Sequence, residues 1–70
     1  MTNLTKIIAR NIKALRLERD LTISMFATKT FLSEKLISEI EYGIHRPTPE
    51  ELVQISEAFQ VSPSSLLSDH

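Results

Sequence analysis

Residues 22–46 collect side chains suited to reversible recognition rather than to making or breaking bonds. Thr22, Ser24, Ser33 and Ser38 carry hydroxyls, Glu34 and Glu39 accept hydrogen bonds, Lys35 and Arg46 donate them, and Tyr42 and His45 add further polar groups. Lysine can donate to guanine O6 and N7, and a carboxylate can accept from cytosine N4. Hydroxyls and the amides of a helix N-terminus can hold phosphate oxygens. Covalent chemistry finds no comparable set. The absence of cysteine removes thiolate nucleophiles, thiolate metal sites and disulfides together. A single glycine rules out a glycine-rich phosphate loop. The carboxylates of Glu50 and Glu51 are accounted for by helix capping. His45 has only His70 as a histidine partner, so it reads as a neighbour of phosphate or solvent rather than a metal ligand. The expectation is a non-enzyme with no cofactor, no metal and no small-molecule ligand.

Helical periodicity supplies the elements that must hold these groups. Leu4, Ile8, Ile12 and Leu15 recur along one face of an amphipathic helix, with Asp20 just past its end. Thr22 offers an N-cap hydroxyl to a second helix whose inward residues are Met25, Phe26 and Ala27. Ser33 caps a third, with Leu36, Ile37 and Ile40 inward and Gly43 as a C′ glycine. Thr48-Pro49-Glu50-Glu51 forms a capping box with proline at N1, opening a fourth helix with the stripe Leu52, Ile55, Ala58 and Phe59. Ser62-Pro63 repeats that start for a short fifth helix seated by Leu66 and Leu67. No stretch alternates with strand period. The reading is all-α: one compact five-helix domain over residues 1–70, without repeat or linker.

The joint between the second and third helices fixes the architecture. Only Thr30, Phe31 and Leu32 separate the two patterns, which forces a sharp crossing and not an antiparallel hairpin. That is helix-turn-helix geometry, in which the second helix enters the major groove of DNA. Ala27 lets the helices approach closely, and Ile37 and Ile40 anchor the second of them with its other face free.

With 70 residues and no cysteine, such a domain depends on well-packed helices or on self-association. Hydrophobic residues at 41% and charged residues at 24% describe a globular chain rather than a disordered one. Apolar runs stop at two or three residues, so neither a membrane span nor a signal-peptide core is present, and a cytoplasmic protein is expected. The net charge of −1 argues at first against a nucleic-acid partner, but its distribution matters more. Residues 1–20 carry Lys6, Arg10, Lys13, Arg16 and Arg19 against Glu18 and Asp20, a net +3. Residues 21–46 balance, and residues 47–70 carry −4. One end can face phosphates while the other faces away.

A family resemblance now becomes specific. Ile12-x-x-Leu15-Arg16, Leu21-Thr22, Phe26-Ala27, Ser33, Ile37-Ser38-x-Ile40-Glu41-x-Gly43, Arg46-Pro47, and Val61-Ser62 with Leu66-Leu67 occur in order and at fitting spacing. Together they resemble the lambda-repressor-like (Cro-type, XRE-like) helix-turn-helix DNA-binding family of bacterial and phage transcriptional regulators. The family-like core covers residues 12–67 and the helix-turn-helix motif about 23–42. The resemblance implies binding of double-stranded operator DNA, usually as a two-fold dimer.

It also implies roles. Arg16 and Glu41 match an interior ion pair joining the first and third helices. Within the recognition helix, residues 33–42, the base-contact candidates are Glu34, Lys35, Leu36 and Glu39. Leu36 has partial core as its alternative. Phosphate-contact candidates are Thr22, Ser24, Ser33, Ser38, Tyr42, His45 and Arg46, with Arg10, Lys13 and Lys29 as flanking charges. Ile23 stands where the family often has a phosphate-binding glutamine, so the expected phosphate grip is weak. Phe31 stands where the family's turn commonly has a left-handed glycine; either Phe31 is strained or the turn differs. Met25 replaces the usual capping-box glutamate of the second helix.

The function expected is a sequence-specific transcriptional regulator, a repressor, that binds a pseudo-palindromic operator as a homodimer. Phe59, Val61, Leu66 and Leu67 are the dimer-interface candidates, with internal core as the alternative for Phe59 and Leu66. The competing reading is a protein-interaction module, antitoxin-like or regulator-binding, that offers the same acidic helix to a protein.

Overall fold

In the computed structural model, which describes residues 3–68, four of the five helices begin where a short polar side chain takes up their first amides. Asn3 opens α1 (Leu4–Glu18), its side-chain oxygen accepting from the Thr5 and Lys6 amides. Thr22 Oγ1 accepts from the Met25 amide at 3.1 Å to start α2 (Ile23–Thr30). Ser33 Oγ accepts from the Leu36 amide at 3.0 Å to start α3 (Glu34–Glu41). α4 (Pro49–Phe59) carries the full capping box: the Glu51 amide donates to Thr48 Oγ1 and the Thr48 amide donates to Glu51 Oε1. α5 (Pro63–Leu67) follows Ser62, whose hydroxyl bonds to the Ser64 and Ser65 hydroxyls and caps no amide. The described residues hold these five helices and no strand.

Helix ends are less orthodox than helix starts. The only glycine, Gly43, sits at φ 78 after α3. Three further stops adopt the left-handed conformation without glycine: Asp20 at φ 56, Phe31 at φ 62 and Gln60 at φ 58. At Phe31 the amide of Leu32 reaches back to the Ala27 carbonyl at 3.2 Å, the long bond of a Schellman motif. The turn therefore keeps the backbone that suits glycine, and the side chain bears the strain, about 1–2 kcal/mol. Thr30, buried just before it, satisfies its hydroxyl on the Phe26 and Ala27 carbonyls.

The core is one cluster: Ile8, Ile12, Phe26, Ala27, Ile37, Ile40, Ile55, Phe59 and Leu66. Phe26 and Phe59 stack with ring centroids 4.8 Å apart. α1 packs on both α3 and α5, so its buried arc is wider than one stripe. Ile7 and Ala9 are buried as well, while Leu4 and Leu15 at its margins are only half-buried. Asn11, on the same side as Ile8 and Leu15, donates to the Leu66 and Ser68 carbonyls at 2.9 and 2.8 Å and so ties α5 to α1. Arg19 lies over the Phe59 ring, 5.1 Å from its centroid, and donates to the Phe59 carbonyl at the end of α4.

This packing corrects two of the dimer-interface candidates. Phe59 is 1% exposed and Leu66 is 0% exposed, so both are core and neither can meet a second copy. Val61 is half-buried and Leu67 remains exposed.

Candidate nucleic-acid interface

α2 and α3 are locked together before any ligand is considered. Ile37 and Ile40 point into the core beside Phe26 and Ala27, which leaves the opposite side of α3 as the face free to meet a partner. Glu34 and Lys35 are exposed on the first turn of that face. Ser38 and Glu39 are half-buried, and Tyr42, the helix cap, is 83% exposed. Leu36 is half-buried and packs against the core, which limits what it can offer to a groove.

Behind this face stands the ion pair. Arg16 Nε and Nη2 donate to the two carboxylate oxygens of Glu41 at 2.7 and 2.9 Å, and Nη1 donates to the Leu21 carbonyl at 2.8 Å. Its side chains are 10% and 6% exposed, so the pair is nearly dry and bidentate. The hydrogen bonds that Arg16 donates to Glu41 raise its pKa, burial opposes them, and the attraction of the carboxylate adds to the rise. The guanidinium thereby joins the end of α1, the start of α2 and the end of α3, and it is fully committed inside the protein.

Around the pair lies a shallow cavity of about 130 Å³, lined by Lys13, Arg16, Ile23, Ser38, Glu41 and Tyr42. It brings the Lys13 side chain of α1 to the same concavity as the polar groups of α3 and the first residue of α2. Ile23 lines it and packs against the core. Thr22, Ser24, Ser33 and Arg46 are exposed near the starts of α2 and α3 and in the segment after α3. The hydroxyls of Thr22 and Ser33 already accept from helix amides, so they remain able to donate.

His45 is placed differently from the expectation of a phosphate or solvent neighbour. Its Nε2 lies 3.0 Å from Glu51 Oε1, the oxygen that also accepts from the Thr48 amide. Burial alone would raise the Glu51 pKa, but the bonds from the Thr48 amide and the His45 ring outweigh it and the net shift is downward. His45 thus fastens the segment between α3 and α4, whose amides at Ile44 and His45 also donate to the Glu39 carbonyl. A side chain spent on Glu51 is a poor phosphate donor. In the chain His45 stands three residues before the capping-box threonine Thr48, a spacing that does not by itself choose a carboxylate over solvent. His70, the only other histidine, lies outside the described residues. Among the described residues no group of three His, Cys, Asp or Glu is placed to hold a metal ion.

Five helices, a short left-handed joint and an open third helix define a class of protein, and the comparisons agree with it. A family model described as helix-turn-helix (HTH_3) matches residues 12–66, and the chain belongs to this family of DNA-binding transcription regulators. Among solved structures it is similar to an HTH_3-family transcriptional regulator from Vibrio cholerae, with 30% identity and a TM-score of 0.85. That alignment covers 90% of this chain and 35% of the other, so the chain spans about a third of that regulator. A mutant of the restriction-modification controller protein C.Esp1396I is 29% identical, with a TM-score of 0.84 over 93% of this chain and 82% of that one. The controller protein C.AhdI from Aeromonas hydrophila shares the fold at 16% identity, with a TM-score of 0.84 over 89% and 94% of the two chains. No match was found among curated proteins.

Proposed function

We propose that this chain is a sequence-specific DNA-binding transcription regulator, acting as a repressor, which binds a pseudo-palindromic operator as a homodimer. The observation that carries this reading is the free face of α3. A rigid core fixes the helix through Ile37 and Ile40, and the side chains of Glu34, Lys35 and Glu39 are left on the accessible side. Placed in the major groove, Lys35 donates to guanine, and Glu34 and Glu39 accept from cytosine. Ser33, Ser24 and Thr22 at the two helix starts, with Ser38, Tyr42 and Arg46, meet phosphate oxygens. The controller proteins of similar fold support the regulatory role.

A monomer reads too few base pairs for useful discrimination, and two copies on half-sites one turn apart are the physical remedy. Val61 and Leu67 are the surviving candidates for the contact between copies.

Selection of bound duplexes from a random pool, followed by gel shift, tests the proposal. The expected site has two half-sites about one helical turn apart, and Lys35→Ala lowers affinity for it while the fold is retained. Because few cations face the duplex, the salt dependence is shallow, with each phosphate contact contributing about −0.9 to the double-log slope. Failure to bind any duplex at low salt would overturn the proposal and leave α3 as a surface for a protein partner.

A further inference from the structure

We propose that Phe31 is a DNA-contacting residue whose ring packs against the apolar surface of the duplex beside the recognition helix, a thymine methyl group or a deoxyribose. The inference rests on the reading of α3 as the groove-binding helix. Its starting point is a cost with no return inside the fold. Phe31 holds a left-handed backbone at φ 62, where glycine would be relaxed, and its side chain is 89% exposed. A bulky side chain in that conformation, packed against nothing, points to a task outside the monomer.

Position says where that task lies. Phe31 precedes the α3 cap Ser33 by two residues, so their Cα atoms are no more than about 7 Å apart. Glu34 and Lys35 follow at once on the first turn of α3. A duplex that meets Ser33 and Lys35 therefore passes within reach of the ring. Chemistry narrows the contact further. Phenylalanine offers phosphates nothing, but it matches the C5-methyl of thymine, the apolar group of the major groove. Residues 21–33 contain one charge, Lys29, and no acid, so nothing on this segment repels the backbone as Glu34 does on α3.

The test compares wild type, Phe31→Gly and Phe31→Asn on the selected operator, with melting curves for each. Both variants tolerate the left-handed backbone, so both fold and neither melts far below wild type. Loss of the ring contact is expected to weaken DNA binding about five- to ten-fold, the worth of a partly buried apolar contact. Operators with uracil in place of thymine at the outer half-site positions separate the two sources. If uracil weakens wild type but leaves Phe31→Gly unchanged, the contact is a methyl group; if it affects neither, the contact is the sugar. Equal affinity of wild type and both variants for the operator overturns the inference, and it is the result expected if the ring serves a protein instead. A wild-type chain that binds no duplex overturns the regulator reading along with it, a result distinct from equal affinities.

Discussion

Arg16 shows how a single side chain decides whether the reading face exists at all. Its guanidinium satisfies both Glu41 oxygens and the Leu21 carbonyl from a nearly dry position. Taking away either partner leaves an uncompensated buried charge, at a cost of about 3–5 kcal/mol. A domain of this size has only about 4–10 kcal/mol of stability in total. Arg16→Ala and Glu41→Ala are therefore expected to be largely unfolded or to melt far below wild type, as read by circular dichroism. If either melted within a few degrees of wild type, the pair would be a surface contact in solution. The charged types and spacing of these two residues were legible in the sequence through the family resemblance. The third bond, to a backbone carbonyl, was not, because backbone groups are identical at every position and only folding brings one into range.

At the level of elements, α4 is the helix most completely specified by local sequence, and its start also holds the chain that leaves α3. Glu51 accepts from the Thr48 amide at 2.9 Å and from His45 at 3.0 Å. These bonds lower its pKa against the opposing effect of burial. The unfolded chain therefore takes up the proton at a higher pH than the folded one. The stabilisation is complete above the unfolded carboxylate pKa and is lost as the pH falls through the lower folded value. Thermal melts of wild type and Glu51→Gln are expected to differ most at neutral pH and to converge in acid. A gap independent of pH would show that the carboxylate charge plays no part. The capping box was visible as Thr48-Pro49-Glu50-Glu51, since caps depend on neighbours in sequence. The attachment of His45 to it was not, since a histidine in a loop can turn to solvent, to phosphate or to a carboxylate with equal local sense.

For the molecule as a whole, the homodimer proposed above requires each copy to fit one half-site. The longest extent is 33 Å, close to the rise of one helical turn, about 34–36 Å. Along the sequence, net positive charge is concentrated in residues 1–20 and negative charge in residues 47–70. Leu67 is 38% exposed beside fully buried Leu66, and the pair separates assembly from folding. Leu67→Glu is expected to keep the fold yet reduce dimer on light scattering and weaken operator binding. Leu66→Ala loses about 2–5 kcal/mol of stability by opening a core cavity. A Leu67→Glu protein that dimerised like wild type would place the interface elsewhere.

The sequence by itself determined five helices, the caps at Thr22, Ser33 and Thr48, the sharp joint between α2 and α3, and which residues of α3 face inward, because periodicity and capping act over a few residues. It also marked Phe31 as the place where the turn's geometry and the residue type disagree. The tertiary structure alone decided that the backbone keeps its left-handed turn and the phenylalanine is left exposed. It decided between core and interface for Phe59 and Leu66, placing both in the core and Leu67 at the surface, and it decided that His45 answers to Glu51. Those outcomes depend on which distant elements pack together: α5 closes over α1 and α4, and the burial of a residue is a property of its neighbours in space, not of its neighbours in the chain.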